Sequence, residues 1–404
     1  MPSGPAPIDR PRGSTNYAMN SVRIFAALIV VVSHVRPLFF VDYSASESTS
    51  ILTQGLYAIT SLGHQAVIVF FVLSGYWVGG SVIRGVSQRR FVPSAYATAR
   101  LTRLWLVLLP AILLTQILDR TGSALFPTSD VYRGSEAYHT VVPVTGPLPN
   151  LDFVDTLGNI FFLEDLYVPT VGTNTPLWSL AAEFWYYLLF PALLLALLPG
   201  ARLKHRAIAG TVALGGIVIV TLATQPHPTD VLLLFPVWLL GAVVSWQKAR
   251  VSALLIQLPV FALAVLRWAA VVFVFGAAVL DTRSGGIVGT VLLATTTAVM
   301  LGTFVVDVGD GWPRRALSPF SWSAEWSYSL YATHLPVLAF IAAMLIPDAS
   351  ERWQMTPATF AGLLALTAIP VAIAIGFFYI SERHTSTLRS RLTRSASRSE
   401  LATR

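Results

Sequence analysis

Apolar residues fall along the chain in ten runs. They are drawn at Met19 to Val41, Thr60 to Ile83, Ala95 to Leu118, Trp178 to Leu198 and Ala207 to Ala223, then Asp230 to Trp246, Leu258 to Leu280, Gly286 to Val306, Trp326 to Pro347 and Ala358 to Ile380. An α-helix rises about 1.5 Å per residue, so runs of roughly 17 to 25 residues match the hydrocarbon thickness of a bilayer. The pattern predicts an all-α protein, a polytopic membrane helical bundle with about ten transmembrane helices. The longest stretch between spans, Asp119 to Leu177, has a Pro-rich, irregular part at Val141 to Asn150 and a part apolar enough for a re-entrant or interfacial helix at Phe153 to Tyr167. A loop of that length is usually functional or disordered.

Composition supports the membrane reading, since 54% of the 404 residues are hydrophobic, 12% are charged and the mean hydropathy is +0.66. That leaves too little polar surface to wrap a soluble core. A formal charge of +7 and a pI near 9.8 would suggest nucleic acid in a soluble protein, but the positions of the charges point elsewhere. With the N-terminus cytoplasmic, 18 basic residues fall in inside segments and 4 in outside segments, namely Arg120, Arg133, Arg283 and Arg352. This positive-inside asymmetry predicts both termini in the cytoplasm, basic loops facing membrane lipid, and no nucleic-acid partner. The first run is too long for a secretory signal, carries Arg23 and His34, and lacks a small-residue cleavage pattern. Three regions are expected: a cytoplasmic N-terminal segment over 1–18, a membrane domain over 19–380, and an Arg/Ser-rich tail over 381–404 with little to bury.

Cysteine is absent, which removes disulfides, thiolate nucleophiles and Cys-based zinc sites. The seven histidines are scattered with no HExxH pair, so no metal is expected. Ionisable groups inside a span are costly unless they face the bundle interior, so each is a functional candidate. They are Arg23, His34, Glu183, Arg267 and His334, with Arg100 and Arg103 near the cytoplasmic end of the third run. Arg23 and His34 are eleven residues apart, three helical turns plus about 20°, so they share one face and lie roughly 16 Å apart along the axis. Glu183 lies five residues into the fourth run and His34 about seven from the outer end of the first, which allows a pair at matched depth. A carboxylate there would orient the imidazole and raise its basicity, as a general base acting on a hydroxyl requires. The plainer alternative is that each is a buried polar group satisfied by a neighbouring helix.

Four motifs resemble the acyltransferase 3 family of membrane-bound O-acyltransferases. The first run has an Arg, ten residues, then His within NSVRIFAALIVVVSH. The second reads GHQAVIVFFVLSGY over Gly63 to Tyr76, with Ala66 where the family commonly has a second Gly. The fourth opens Thr175, Pro176, Leu177, Trp178, Ser179, Leu180, then Glu183 and Tyr186, and the ninth has Ser327, Tyr328, Ser329, Leu330, Tyr331 and His334. Arg100 and Arg103, followed by Pro110, resemble the basic start of the family's third span. Glu382 resembles its terminal Glu, although His384 stands where Pro or Phe often follows.

The resemblance implies an enzyme that moves an acetyl or other short acyl group from cytoplasmic acyl-CoA to a hydroxyl of an extracytoplasmic glycan, glycolipid or similar acceptor in the cell envelope. It implies Arg23, Arg100 and Arg103 as the donor's phosphate anchors, guanidinium groups being suited to bidentate contact. Lipid headgroups are their plainer partners. His34 is the expected general base, or a transient acyl carrier, with Glu183 as its orienting partner. Ser74, Tyr328, Tyr331 and His334 are expected at the substrate or the developing oxyanion. Many relatives append an esterase-like domain; without one here, a step that needs it is expected from a separate acyl-transfer partner protein. The rival class is a transporter or flippase, because buried His, Glu and Arg also mark transport pathways, but no repeated halves or paired broken helices are visible.

Overall fold

The computed structural model describes residues 14–198, 202–224, 229–306, 320 and 322–391. The first half of the chain folds as α1 (Ser14–Phe39), α2 (Ile51–Thr60), α3 (Gly63–Ser74), α4 (Gly80–Ser87), α5 (Pro93–Leu125), α6 (Asp130–Arg133) and α7 (Phe153–Ile160). The second half supplies α8 (Trp178–Leu197), α9 (Leu203–Thr221), α10 (Thr229–Trp246), α11 (Lys248–Leu255), α12 (Val260–Ser284), α13 (Ile287–Phe304), α14 (Ser327–Leu345) and α15 (Pro357–Ile380). Among the described residues nine helical segments are long and apolar enough to cross a membrane, and ten if α10 and α11, bent by 61°, count as one span. Each of the ten apolar runs falls on one of these segments. The protein is a polytopic helical membrane bundle.

Burial separates inner from peripheral helices. In α14, and in the span running from α3 through α4, 78% of the most apolar window is buried within the protein, against 22% in α9 and α12. Helices hydrophobic all round can sit either inside such a bundle or against lipid. Small residues mark the inner contacts, because lipid offers no hydrophobic gain and backbones must approach closely to pack. A Cβ at Gly75 would run into the Trp238 carbonyl and one at Gly241 into the Val72 carbonyl. The Gly of the Ser-Gly-Tyr motif therefore lets α3 lie directly on α10. At this contact the helix widens into a π-helical turn over Gly75–Gly79 before continuing as α4; such turns often occur at functional sites.

The segment Phe153 to Tyr167 packs against α5 and α8 and is helical only as far as Ile160. Beyond it the chain passes irregularly between α5 and α8, with Phe162 and Asp165 in the left-handed region at φ 60° and 55°. Two indole N–H groups satisfy its backbone: Trp105 donates to the Ile160 carbonyl at 2.9 Å and Trp185 to that of Phe162 at 3.1 Å. The Phe162 ring stacks on Phe184, centroids 4.5 Å apart. Irregular backbone within a membrane protein needs partners of this kind wherever water is excluded.

This segment is fastened at its end by Asn174, which is fully buried. Its side-chain amide donates to the Thr115 hydroxyl at 3.0 Å and to the Ala332 carbonyl at 2.9 Å. In an unbroken helix the Ala332 carbonyl would accept from residue 336, but Pro336 has no N–H to give. Pro191 frees the Tyr187 carbonyl in the same way, and Tyr96 donates its hydroxyl there at 3.1 Å. Next to Asn174, the Thr173 amide and hydroxyl both donate to Asp119, at 2.7 and 2.9 Å. Replacing Asn174 by Leu removes the donor for two buried acceptors, each worth about 1–3 kcal/mol when orphaned. The Asn174→Leu protein should unfold at a clearly lower temperature in detergent; a melting curve superimposable on wild type would contradict this role.

Candidate active site

A cavity of about 360 Å³ lies among α1, α3, α5, α8 and α14. Of the nine residues expected at the donor, the acceptor or the oxyanion, seven line it: Arg23, Ser74, Arg100, Arg103, Glu183, Tyr328 and Tyr331. Three guanidinium groups thus face one carboxylate around a single space. Glu382 supplies a second carboxylate behind them. Its Oε2 accepts from the Ser329 amide at 3.2 Å and the Ser329 hydroxyl at 2.8 Å, at the first turn of α14, where a negative charge is favoured. From there it acts electrostatically on both Arg23 and Arg103. Its match in sequence was one residue with an unexpected neighbour, and only the fold brings it to the arginines.

Aromatic rings hold the guanidinium groups. Arg103 lies over the Tyr328 ring at 5.8 Å, and Arg100 over Tyr96 and Tyr187 at 5.8 and 5.9 Å. Two polar groups of this set, Arg100 Nε and the Tyr328 hydroxyl, are buried without a hydrogen-bond partner. Buried donors are costly to leave unmade, and a cavity that holds such donors together with net positive charge suits an anionic group.

The three hydroxyls expected near an oxyanion separate on inspection. Tyr187 donates to Glu183 Oε2 at 3.0 Å, since a carboxylate can only accept. Ser74, 3.2 Å from the Tyr187 oxygen, must then donate to it, while Trp238 Nε1 donates to Ser74 at 3.1 Å. The result is a directed relay from Trp238 through Ser74 and Tyr187 to Glu183, in which the Ser74 proton is committed. Tyr331 is likewise committed: it donates to the Pro176 carbonyl at 2.9 Å and accepts from Ser179 at 2.6 Å, tying α14 to the start of α8. Only Tyr328 keeps an unused proton. It is six residues from His334 on α14, about 9 Å along the axis, and so belongs with the arginines.

The histidines meet each other. His34 Nδ1 and His334 Nε2 are 3.2 Å apart, and the rings are 5.0 Å apart by centroid. Backbone carbonyls fix the tautomers, because a carbonyl can only accept. His334 Nδ1 lies 2.8 Å from the Tyr331 carbonyl and therefore carries the proton, leaving its Nε2 as an acceptor. His34 Nδ1 lies 2.8 Å from the Val30 carbonyl and so also carries a proton, shared between that carbonyl and His334. In this neutral pair His34 Nε2 keeps its lone pair and is the basic atom.

The expected pairing of His34 with Glu183 is therefore replaced by His34 with His334, while Glu183 is hydrogen-bonded to Tyr187 among the arginines. The depth count failed for a physical reason. It took Trp178 to lie at the outer surface, whereas Asn174 is already at the level of Ala332, inside the bundle and two residues from His334. Nine residues further along, Glu183 has passed the histidines. Arg267, a further charge expected within a span, donates to the Thr303 and Val306 carbonyls at 3.1 and 2.7 Å. It satisfies the open carbonyls at the C-terminal end of α13, where a cation is favoured.

The sequence pattern of the acyltransferase domain matches residues 16–376 of the chain. The chain is also 27% identical over 391 residues to acyltransferase MdmB of Streptomyces mycarofaciens, an alignment covering 89% of this chain and 88% of that one. No solved structure matches it. The match extends from α1 into α15 and takes in the cavity, the arginines and the histidine pair, and the chain belongs to the acyltransferase 3 family as a membrane acyltransferase.

Proposed function

We propose that the protein transfers an acetyl or other short acyl group from cytoplasmic acyl-CoA to a hydroxyl of an extracytoplasmic glycan, glycolipid or similar acceptor. One observation carries this reading: a cavity rich in guanidinium groups and a histidine pair with fixed tautomers share α1 and α14, at different levels of the bundle. Arg23 and His34 stand roughly 16 Å apart on α1, so a donor held by its phosphates near Arg23, Arg100, Arg103 and Tyr328 extends its thioester along α1 towards His34. Guanidinium groups suit phosphates because their donors pair bidentately with phosphate oxygens.

In the proposed step His34 Nε2 removes the proton from the acceptor hydroxyl as its oxygen attacks the thioester carbonyl carbon. A carbon–oxygen bond forms, the carbon–sulfur bond breaks, and the imidazolium returns the proton to the departing CoA thiolate. His334 Nε2 accepts from His34 Nδ1 throughout and stabilises the imidazolium as charge develops, a positioning role. Glu183 and Glu382 are assigned to the arginines, whose mutual repulsion they offset.

His34→Ala should abolish transfer from radiolabelled acyl-CoA while leaving expression and membrane insertion intact; full activity in that variant would sink the mechanism. His334→Ala should keep a residue of activity. Losing a hydrogen bond to a charged group costs about 1.5–3 kcal/mol, or roughly 10- to 150-fold in kcat.

Sidedness rests on the 18 to 4 asymmetry of basic residues. The chain has no cysteine, so single-Cys labelling runs without background. With a membrane-impermeant thiol reagent on intact cells, exposed Glu136→Cys should label and exposed Ser87→Cys should not. The opposite pattern would invert the protein and place the arginines away from cytoplasmic CoA.

A further inference from the structure

A second cavity, of about 610 Å³, opens between α5, α8 and α9. It shares Arg100, Leu104 and Tyr187 with the first, so α5 and α8 form a common wall between the two. Its volume lies within the roughly 300–1,000 Å³ of small-molecule sites. Most of its surface is hydrocarbon, supplied by such residues as Leu188, Leu195, Ile208 and Val212. One end differs. There His205 lines the cavity, and α9 begins with Arg202, Lys204, His205 and Arg206 in immediate succession around Leu203. Arg202, Lys204 and His205 are exposed. The N-terminus of α9 adds its own positive potential at the same end. The helix that carries this basic end is peripheral, only 22% of its span being buried within the protein.

An apolar slot with a cationic mouth fits an amphiphile with a hydrocarbon chain and an anionic head. We propose that this groove binds one anionic phospholipid, an acyl chain lying between α5 and the α8–α9 pair and the phosphate at Arg202, Lys204 and His205. Charge selects the head, because Lys and Arg near an anionic membrane surface attract its lipids. The apolar walls of α5, α8 and α9 select the chain. Neither substrate competes for this space on the reading above, because the reacting acyl group and the acceptor hydroxyl belong at His34 and His334, which do not line the groove. The lipid would lie against Arg100 and Tyr187 from behind, on the far side of the wall they share with the first cavity.

Native mass spectrometry of protein released from nanodiscs containing equal phosphatidylglycerol and phosphatidylcholine tests this by counting the lipids retained. Wild type should keep one phosphatidylglycerol at least about tenfold more often than phosphatidylcholine, a preference of ~1.4 kcal/mol. Val212→Trp, at a partly exposed position, fills the groove and should lose the retained lipid. Combined Arg202→Ala, Lys204→Ala and His205→Ala should retain both lipids equally. All three positions of that variant are exposed, so it keeps the proposal testable should Val212→Trp fold poorly. Equal retention of the two lipids by wild type, or unchanged selectivity in the triple variant, would overturn the proposal. The readout needs no acyl transfer, so failure of the proposed reaction and failure of the lipid site are distinguishable.

Discussion

A carbonyl freed by proline inside a membrane bundle has no water to turn to, and the layout of this protein follows from how one such carbonyl is satisfied. Pro336 leaves the Ala332 carbonyl open in the middle of α14, and Asn174 closes it. To reach it the chain before α8 has to descend between the helices. That descent requires the two indole bonds to Ile160 and Phe162 and the anchor of Thr173 on Asp119. It also fixes where α8 begins. With its first turn already at the level of the histidines, α8 carries Glu183 past them to the arginines, and His34 is left to His334.

The outcome is a division of polar chemistry into two zones on shared helices. One zone collects charge: Arg23, Arg100 and Arg103 with Glu183, and Glu382 behind them. The other is neutral, two imidazoles whose protons are directed by backbone carbonyls. Keeping the carboxylates away from the imidazoles leaves His34 with a neutral partner. On the proposed mechanism, charge appears at the histidines only as the acceptor proton is taken up, and disappears when it is passed on. The carboxylates do a different task, holding three mutually repelling guanidinium groups around one cavity without filling it.

Much of this was legible in the sequence. Run length alone located each span, because bilayer thickness leaves little freedom. The Arg23 to His34 spacing and the clustering of Arg100 and Arg103 could be read because each is local to one helix. What could not be read depended on the offset between helices. The depth of Glu183 turned on an irregular segment whose end no hydropathy pattern marks. Ser74 and Tyr331 looked available because their partners, Tyr187 and the Pro176 carbonyl, lie on another helix. Glu382 looked peripheral because only folding brings α15 to the first turn of α14. One signal could have been used: a proline within an apolar span announces an open carbonyl four residues earlier, and a lone Asn beside a span is a candidate to close it.

The central claim is that donor binding and proton transfer are performed by separate groups on the same helices. Equilibrium binding of CoA to purified protein, measured by calorimetry for wild type, Arg103→Gln and His34→Ala, tests it most directly. The account predicts that Arg103→Gln weakens CoA binding at least about tenfold, the loss of one charge-assisted contact. It predicts that His34→Ala binds CoA as wild type does. Wild-type affinity in Arg103→Gln, or loss of CoA binding in His34→Ala, would contradict it.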